Sequence, residues 1–175
     1  SDVCSSDLDF VVSLQRTPSV EDLTTQSLLS DPYVVVARRG HPLATQRKIG
    51  PADLIRYDWI VPLRGAARRS AFDGVFTDAG GTPRSSIETH SLSAMRTFLA
   101  DSDRLTLMTR YEATLEERLG LLVTIPYGSI NPPALLGLTT RSKWLPTKLQ
   151  RAFLEKLLNH AKAQAQPKTV RRSKS

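Results

Sequence analysis

The apolar residues fall into short runs parted by turn residues, and the runs alternate between strand-like and helix-like spacing along the chain. Phe10-Val11-Val12-Ser13 reads as a short buried strand, followed by a polar loop that contains Pro18. Residues 24–37 hold two apolar stretches split at Asp31-Pro32. The second, Tyr33-Val34-Val35-Val36-Ala37, is continuous and rich in β-branched residues, which suits a strand buried on both faces. Gly40-His41-Pro42 breaks it, and Pro51 opens a short helix. Strands and helices then alternate. Trp59-Ile60-Val61 is a strand, Arg64-Gly65 a turn, and Phe72, Val75, Phe76 and Ala79 recur at helical spacing until Gly80-Gly81 and Pro83. A strand over 86–89 leads to a helix lined by Leu92, Met95, Phe98 and Leu99, with Ser91 as its N-cap. A strand over 105–108, a helix over 111–119 ended by Gly120, and a strand over 121–125 follow. After Pro132-Pro133 comes a last strand over 134–140. Thr147 and Gln150 form a capping box for a final helix with Leu149, Ala152, Phe153, Leu157 and Ala161 on one stripe, stopped by Pro167. This order predicts an α/β fold with a largely parallel sheet.

Composition adds few constraints. The 175 residues are 40% hydrophobic and 23% charged, ordinary for a soluble protein large enough to bury a core. No apolar run approaches the roughly 20 residues that span a bilayer. The start of the chain has no basic region followed by an apolar one, so no secretory signal is read. Cys4 is the only cysteine, which excludes a disulfide framework and a cysteine metal site. The expected compartment is the cytoplasm. The net charge of +7 draws on Lys168, Arg171, Arg172 and Lys174 in the last ten residues, which hold no acid. The rest is mildly basic, without the clustered bases and interleaved aromatics of a nucleic-acid groove. Residues 166–175 read as a solvated, disordered basic tail, with contact to DNA or another acidic partner as the alternative. Residues 1–8, rich in Ser and Asp and without period, read as a non-native leader.

Catalytic chemistry is not apparent. There is no phosphate-binding glycine loop followed by Lys-Ser/Thr, and no nucleotide-binding glycine fingerprint. His41, His90 and His160 are far apart and lack metal-ligand spacing. His41, in a turn, and His160, at a helix end, read as surface residues, whereas His90 ends a strand where pockets form. Glu112, Glu116 and Glu117 read as the solvated face of one helix, with local pairs to Arg110 or Arg118. No catalytic residue, metal site or cofactor is expected.

Open parallel sheets bind ligands beyond the carboxyl ends of their strands. The ends of interest are Ser13-Leu14, Pro62-Leu63-Arg64-Gly65, His90-Ser91 and Thr109-Arg110. Three of them run into helix starts, where free amides suit a carboxylate or a hydroxyl-rich ligand. Arg64 is either an exposed loop arginine or a charge-assisted partner for an anion.

Several stretches, taken in order, resemble the effector-binding domain of LysR-type transcriptional regulators. DPYVVVARRGHPLA at 31–44 is similar to that family's passage between lobes. YDWIVPLRG at 57–65 and IETHSLSAMRTFLADSDRLTLMTR at 87–110 match its second lobe. GLTTRSKWLPTKLQRAFLEKL at 137–157 matches its closing strand and last helix. The resemblance covers about residues 9–160. It implies a two-lobed fold like type 2 periplasmic binding proteins, with two crossing strands and a small-molecule effector held between the lobes. On that basis residues 9–56 and 123–165 are expected to form the first lobe and 57–122 the second. Pro62, Leu63, Arg64 and Gly65 match the first ligand loop of the second lobe, and His90 and Ser91 match the next. Ser13 matches the first-lobe strand end and Thr109 the hinge-side end of the returning strand.

The nearest branches imply a sugar, sugar acid or aromatic acid as effector. The family also implies a homo-dimer or tetramer, with DNA contacted only through a winged helix-turn-helix absent from this sequence. The first lobe lacks the family's opening strand and helix, so an incomplete lobe with exposed edge and apolar surface is expected. Two other readings of the fold are a solute-binding protein for transport and an enzyme with a reactive group in the cleft.

Overall fold

The computed structural model describes residues 9–14, 21–77 and 81–165. The expected leader, the loop around Pro18, the helix stop at Gly80 and the basic tail with Pro167 lie outside these residues. Backbone contacts divide the chain into two compact units, one of Ser1–Ser30 with Leu135–Ser175 and one of Asp31–Ala134. Residues 31–56 and 123–134, expected with the first lobe, group with the second unit. Both boundaries fall within strands: β2 (Leu23–Arg38) passes from the first unit into the second, and β7 (Ile130–Arg141) passes back.

In the first unit, β1 (Phe10–Leu14) pairs antiparallel with β7, Phe10 facing Thr140 and Leu14 facing Leu136. β1 ends the sheet order, and β7 lies next to β2. The hydroxyls of Thr25 and Thr139 bond at 2.9 Å across those two strands. Helix α5 (Lys148–Ala165) starts with the predicted capping box. Gln150 Oε1 accepts from Thr147 N at 2.8 Å and Thr147 Oγ1 accepts from Gln150 N at 3.3 Å. Its predicted apolar stripe is only partly covered. Phe153 stacks on Phe10 at 5.7 Å, while Leu149 is 82% exposed.

The second unit is built around the far half of β2. Tyr33, Val34, Val35, Val36 and Ala37 are all at most 1% exposed, as their continuous apolar run requires. Successive strand side chains point to opposite faces. Tyr33, Val35 and Ala37 enter one apolar cluster with Trp59, Phe72 and Leu107, and Val34 and Val36 enter another with Met95, Leu99 and Met108. Helices α1 (Pro51–Leu54) and α2 (Ala67–Phe76) contribute to the first cluster. Helices α3 (Leu92–Ala100) and α4 (Arg110–Arg118) contribute to the second. Gly120, at φ +69°, closes α4: Leu121 N donates to Glu116 O and Gly120 N to Glu117 O, a Schellman pair that needs a left-handed residue.

Three expectations are corrected. The split at Asp31-Pro32 does not interrupt β2, which is one 16-residue strand. Proline offers no N–H, and it sits just where the ladder to the next strand begins, at Tyr33. β7 likewise starts at Ile130, ahead of Pro132-Pro133. The sheets are mixed rather than mostly parallel. β3 (Trp59–Val61) and β4 (Ser85–Glu88) are parallel, but β2 runs antiparallel to β5 (Thr106–Thr109) and β6 (Leu122–Thr124). Helical crossovers carry the chain from β3 to β4 to β5 in one direction, whereas β2 enters the same layer from the other unit's side of the sequence.

Candidate functional site

Strand direction gathers most of the predicted site residues at one edge of the second unit. β3 and β4 are parallel, and β3 also meets β5 in parallel through Trp59 and Leu105, with Ile60 N donating to Leu105 O at 2.9 Å. The loops that follow all three strands therefore emerge at the same end, in the position where open parallel sheets receive ligands.

The first loop is the most open. Pro62 is buried, Leu63 is 44% exposed, and Arg64 is exposed with no ion pair among the described residues. Gly65 takes φ +83°, with empty space where a Cβ would stand. This turn delivers the chain into α2, whose N-cap is Ala66, with no side-chain cap and no acid in the first turn. The first amides of α2 therefore keep free donors and the positive end of the helix dipole.

The other two helix starts are satisfied internally. Ser91 Oγ accepts from Ala94 N at 3.3 Å and bonds Ser93 Oγ at 2.9 Å, with His90 exposed beside it. Thr109 is buried and caps α4: its Oγ1 accepts from Glu112 N at 3.2 Å, and Glu112 Oε2 accepts from Thr109 N at 2.9 Å. Its hydroxyl is thus committed to the cap. Ser13 belongs to the first unit, exposed on β1 opposite Gly137.

Sequence reading passed over the residues that tie these loops together. Arg68 Nη2 donates to both Glu112 carboxylate oxygens, at 2.9 and 2.8 Å. Arg69 donates to Pro62 O at 3.2 Å, Glu88 Oε1 at 3.1 Å and Asp73 Oδ1 at 3.0 Å. One signal was present in the sequence: two cations in a helix's first turns oppose its dipole and call for acidic partners. Tyr33 lies beneath Arg68, whose guanidinium is 5.8 Å from the ring centre. The Tyr33 hydroxyl is buried and has no hydrogen-bond partner in good geometry among the described residues. Burial pushes its phenol above the ordinary range, against a smaller lowering by Arg68.

The acidic helix and His41 also depart from expectation. Glu116 is 1% exposed and takes two hydrogen bonds from Arg96 on α3. Glu117 accepts from Thr124 N at 2.9 Å, and Glu112 reaches Arg68 rather than Arg110 or Arg118. The helix packs on the sheet, so these carboxylates meet partners from other elements. His41, expected at the surface, is 1% exposed. Its Nδ1 accepts from Leu43 N at 3.1 Å, so its Nε2 carries the proton and donates to Asp103 O at 3.2 Å. Burial lowers its pKa, against smaller raising contributions from Asp103. His160 is exposed on α5, as expected. Among the described residues no cluster of His, Cys, Asp or Glu is arranged to hold a metal, and no helix is long and apolar enough to cross a membrane.

Comparison with known proteins accords with this architecture. The family model for the LysR substrate binding domain matches residues 1–162, a span that includes the segment read above as a leader. The HTH-type transcriptional regulator GalR of Pseudomonas putida is 32% identical over 139 residues, covering 78% of this chain and 34% of that protein. This chain spans between 22% and 37% of the curated relatives it matches. The Synechocystis PCC6803 CcmR regulatory domain, solved in complex with 2-PG, aligns with a TM-score of 0.72 at 22% identity, over 90% of this chain and 75% of that one. The effector binding domain of QuiR, solved with shikimate, aligns at 0.70 and 16% identity, over 90% and 74%. These structural likenesses establish the fold, that of the two-lobed type 2 periplasmic-binding-protein class. With the family match spanning nearly the whole chain, this protein belongs to the LysR substrate-binding domain family.

Proposed function

We propose that this chain is the effector-sensing part of a bacterial transcription regulator, and that it takes a small sugar, sugar acid or aromatic acid. In this reading it binds its ligand without chemically changing it, and acts on DNA only through a separate DNA-binding domain in a dimer or tetramer. The observation that carries the reading is the strand-end edge that Pro62, Leu63, Arg64, Gly65, His90 and Ser91 share, with no side-chain cap at the start of α2 and Arg64 exposed without an ion pair among the described residues. Such a place suits a carboxylate, phosphate or hydroxyl group. Shikimate, the ligand of the QuiR complex, is a hydroxylated acid of this kind. The family resemblance also assigns Thr109, whose hydroxyl and N–H both serve the cap of α4, and Ser13 in the first unit. Regulation then requires that the effector bind two conformations of the domain unequally.

Thermal-shift titration with sugars, sugar acids, aromatic acids, shikimate and 2-PG tests the proposal. A ligand at about 100 times its Kd adds about 2.7 kcal/mol of stability, which reads as a shift of several degrees. Arg64→Ala should weaken the response to acids more than the response to neutral sugars. The absence of stabilisation by every compound would count against the sensor reading.

A further inference from the structure

We infer that Arg68 and Arg69 are positioning residues that hold the three strand-end loops of the second unit in one fixed arrangement; this rests on the effector site proposed above. The geometry follows from the helix. Neighbouring helical residues point about 100° apart, so consecutive arginines at the start of α2 reach in different directions. β3 lies between β4 and β5, and α2 follows β3. Arg69 turns toward β4, where its guanidinium bridges Pro62 O in the first loop and Glu88 at the end of β4. Asp73, one turn along α2, accepts from its Nε and holds the fork in that direction. Arg68 turns toward β5 and grips Glu112, the same carboxylate that closes the cap at Thr109. Each arginine therefore fixes a different neighbour to the start of α2.

Loops at strand ends are mobile unless something ties them down, and a binding site must be held to within about 0.5 Å to be effective. Without these bridges, the loop at 62–65 would rely on local backbone bonds, and the start of α4 on its own capping box and on Asp31, whose carboxylate accepts from Tyr111 N at 3.2 Å. The ordering would then have to occur on binding, at the expense of affinity. Arg68 and Arg69 need no contact with ligand for this role. Both guanidiniums are occupied by carboxylates, whereas Arg64 has no ion pair among the described residues.

Residue-resolved amide exchange on the full chain, comparing wild type with Arg68→Gln and Arg69→Gln, tests the assignment. Arg69→Gln should speed exchange at Ala66, Thr89 and Ser91 by about tenfold, the effect of losing a charge-assisted hydrogen bond, and leave Thr109 and Glu112 unchanged. Arg68→Gln should do the reverse. Ile60 and Ile125, whose amides bond Leu105 O and Val35 O in the core, serve as internal controls. Unchanged exchange at the loops, or an equal rise at loops and core controls in both variants, overturns the inference. In parallel, shikimate and 2-PG are titrated against all three proteins, and any affinity seen in wild type should fall in both variants. If wild type binds neither compound, the proposed effector class is at fault, and the exchange pattern alone decides the role of the arginines.

Discussion

Tyr33→Phe is expected to stabilise this protein. The Tyr33 side chain is 0% exposed, and its hydroxyl has no protein hydrogen-bond partner among the described residues. A buried polar group without a hydrogen bond costs about 1–3 kcal/mol relative to its solvated state. Phenylalanine fills the same ring volume, keeps the contacts with Val35 and Phe72's cluster, and leaves the Arg68 guanidinium over an aromatic face. The substitution thus removes a cost and forfeits little packing. A net gain of about 1 kcal/mol is the conservative expectation, which for a chain of this size raises Tm by about 2–4 °C. Urea unfolding provides the assay: the midpoint should rise while the slope m stays constant, since the surface exposed on unfolding is unchanged. A fall in midpoint would refute the reasoning, because it would mean that the hydroxyl bonds a group in the folded state. The effector titration should accompany the measurement. A variant that gains stability but loses affinity for an effector would identify the hydroxyl as a donor held in reserve for ligand, the usual trade between stability and function.

His41 makes stability pH-dependent. Its folded pKa lies below the unfolded value, so the unfolded chain binds more protons once the pH drops below about 6.5. Stability should be full above that pH and decline below it, and His41→Gln should flatten this part of a urea-midpoint profile; an unaltered profile would remove His41 as the cause. Phe72→Ala should cost about 3–5 kcal/mol, because Phe72 is 2% exposed and sits edge-on to both Trp59 and Phe76; calorimetry showing a loss under about 1 kcal/mol would contradict that packing. Gly65→Ala should cost about 1–2 kcal/mol through its left-handed backbone alone, since no atom lies near the new methyl; an equal or higher Tm would argue against that conformation. The first unit should drive association, because β1 ends its sheet and Leu145, Leu149 and Phe153 are 88%, 82% and 51% exposed. Sedimentation at rising concentration should reveal it, and a clean monomer throughout would disprove it.

What was legible from the residues in order is what depends on near neighbours. The caps by Ser91 and by Thr147 with Gln150, the left-handed stop at Gly120 and the doubly buried run at 33–37 all involve groups within a few positions of one another. Strand ends could be read for the same reason, and Pro62 to Gly65 do follow β3 while His90 and Ser91 follow β4. The continuity of β2 past Pro32 could not be read, because a proline breaks or spares a strand according to whether its neighbour asks for an N–H there. Nor could the antiparallel pairing of β2 with β5 and β6, which depends on which strands the folded chain sets side by side. The charged pairs show the limit most plainly. Arg68 and Glu112 are 44 positions apart, and His41 and Asp103 are 62 apart. Periodicity shows which face of an element is apolar, but not which distant carboxylate or carbonyl will stand opposite a given side chain. Only the packing of β3 between β4 and β5 decided that two adjacent arginines would find Glu88 on one side and Glu112 on the other.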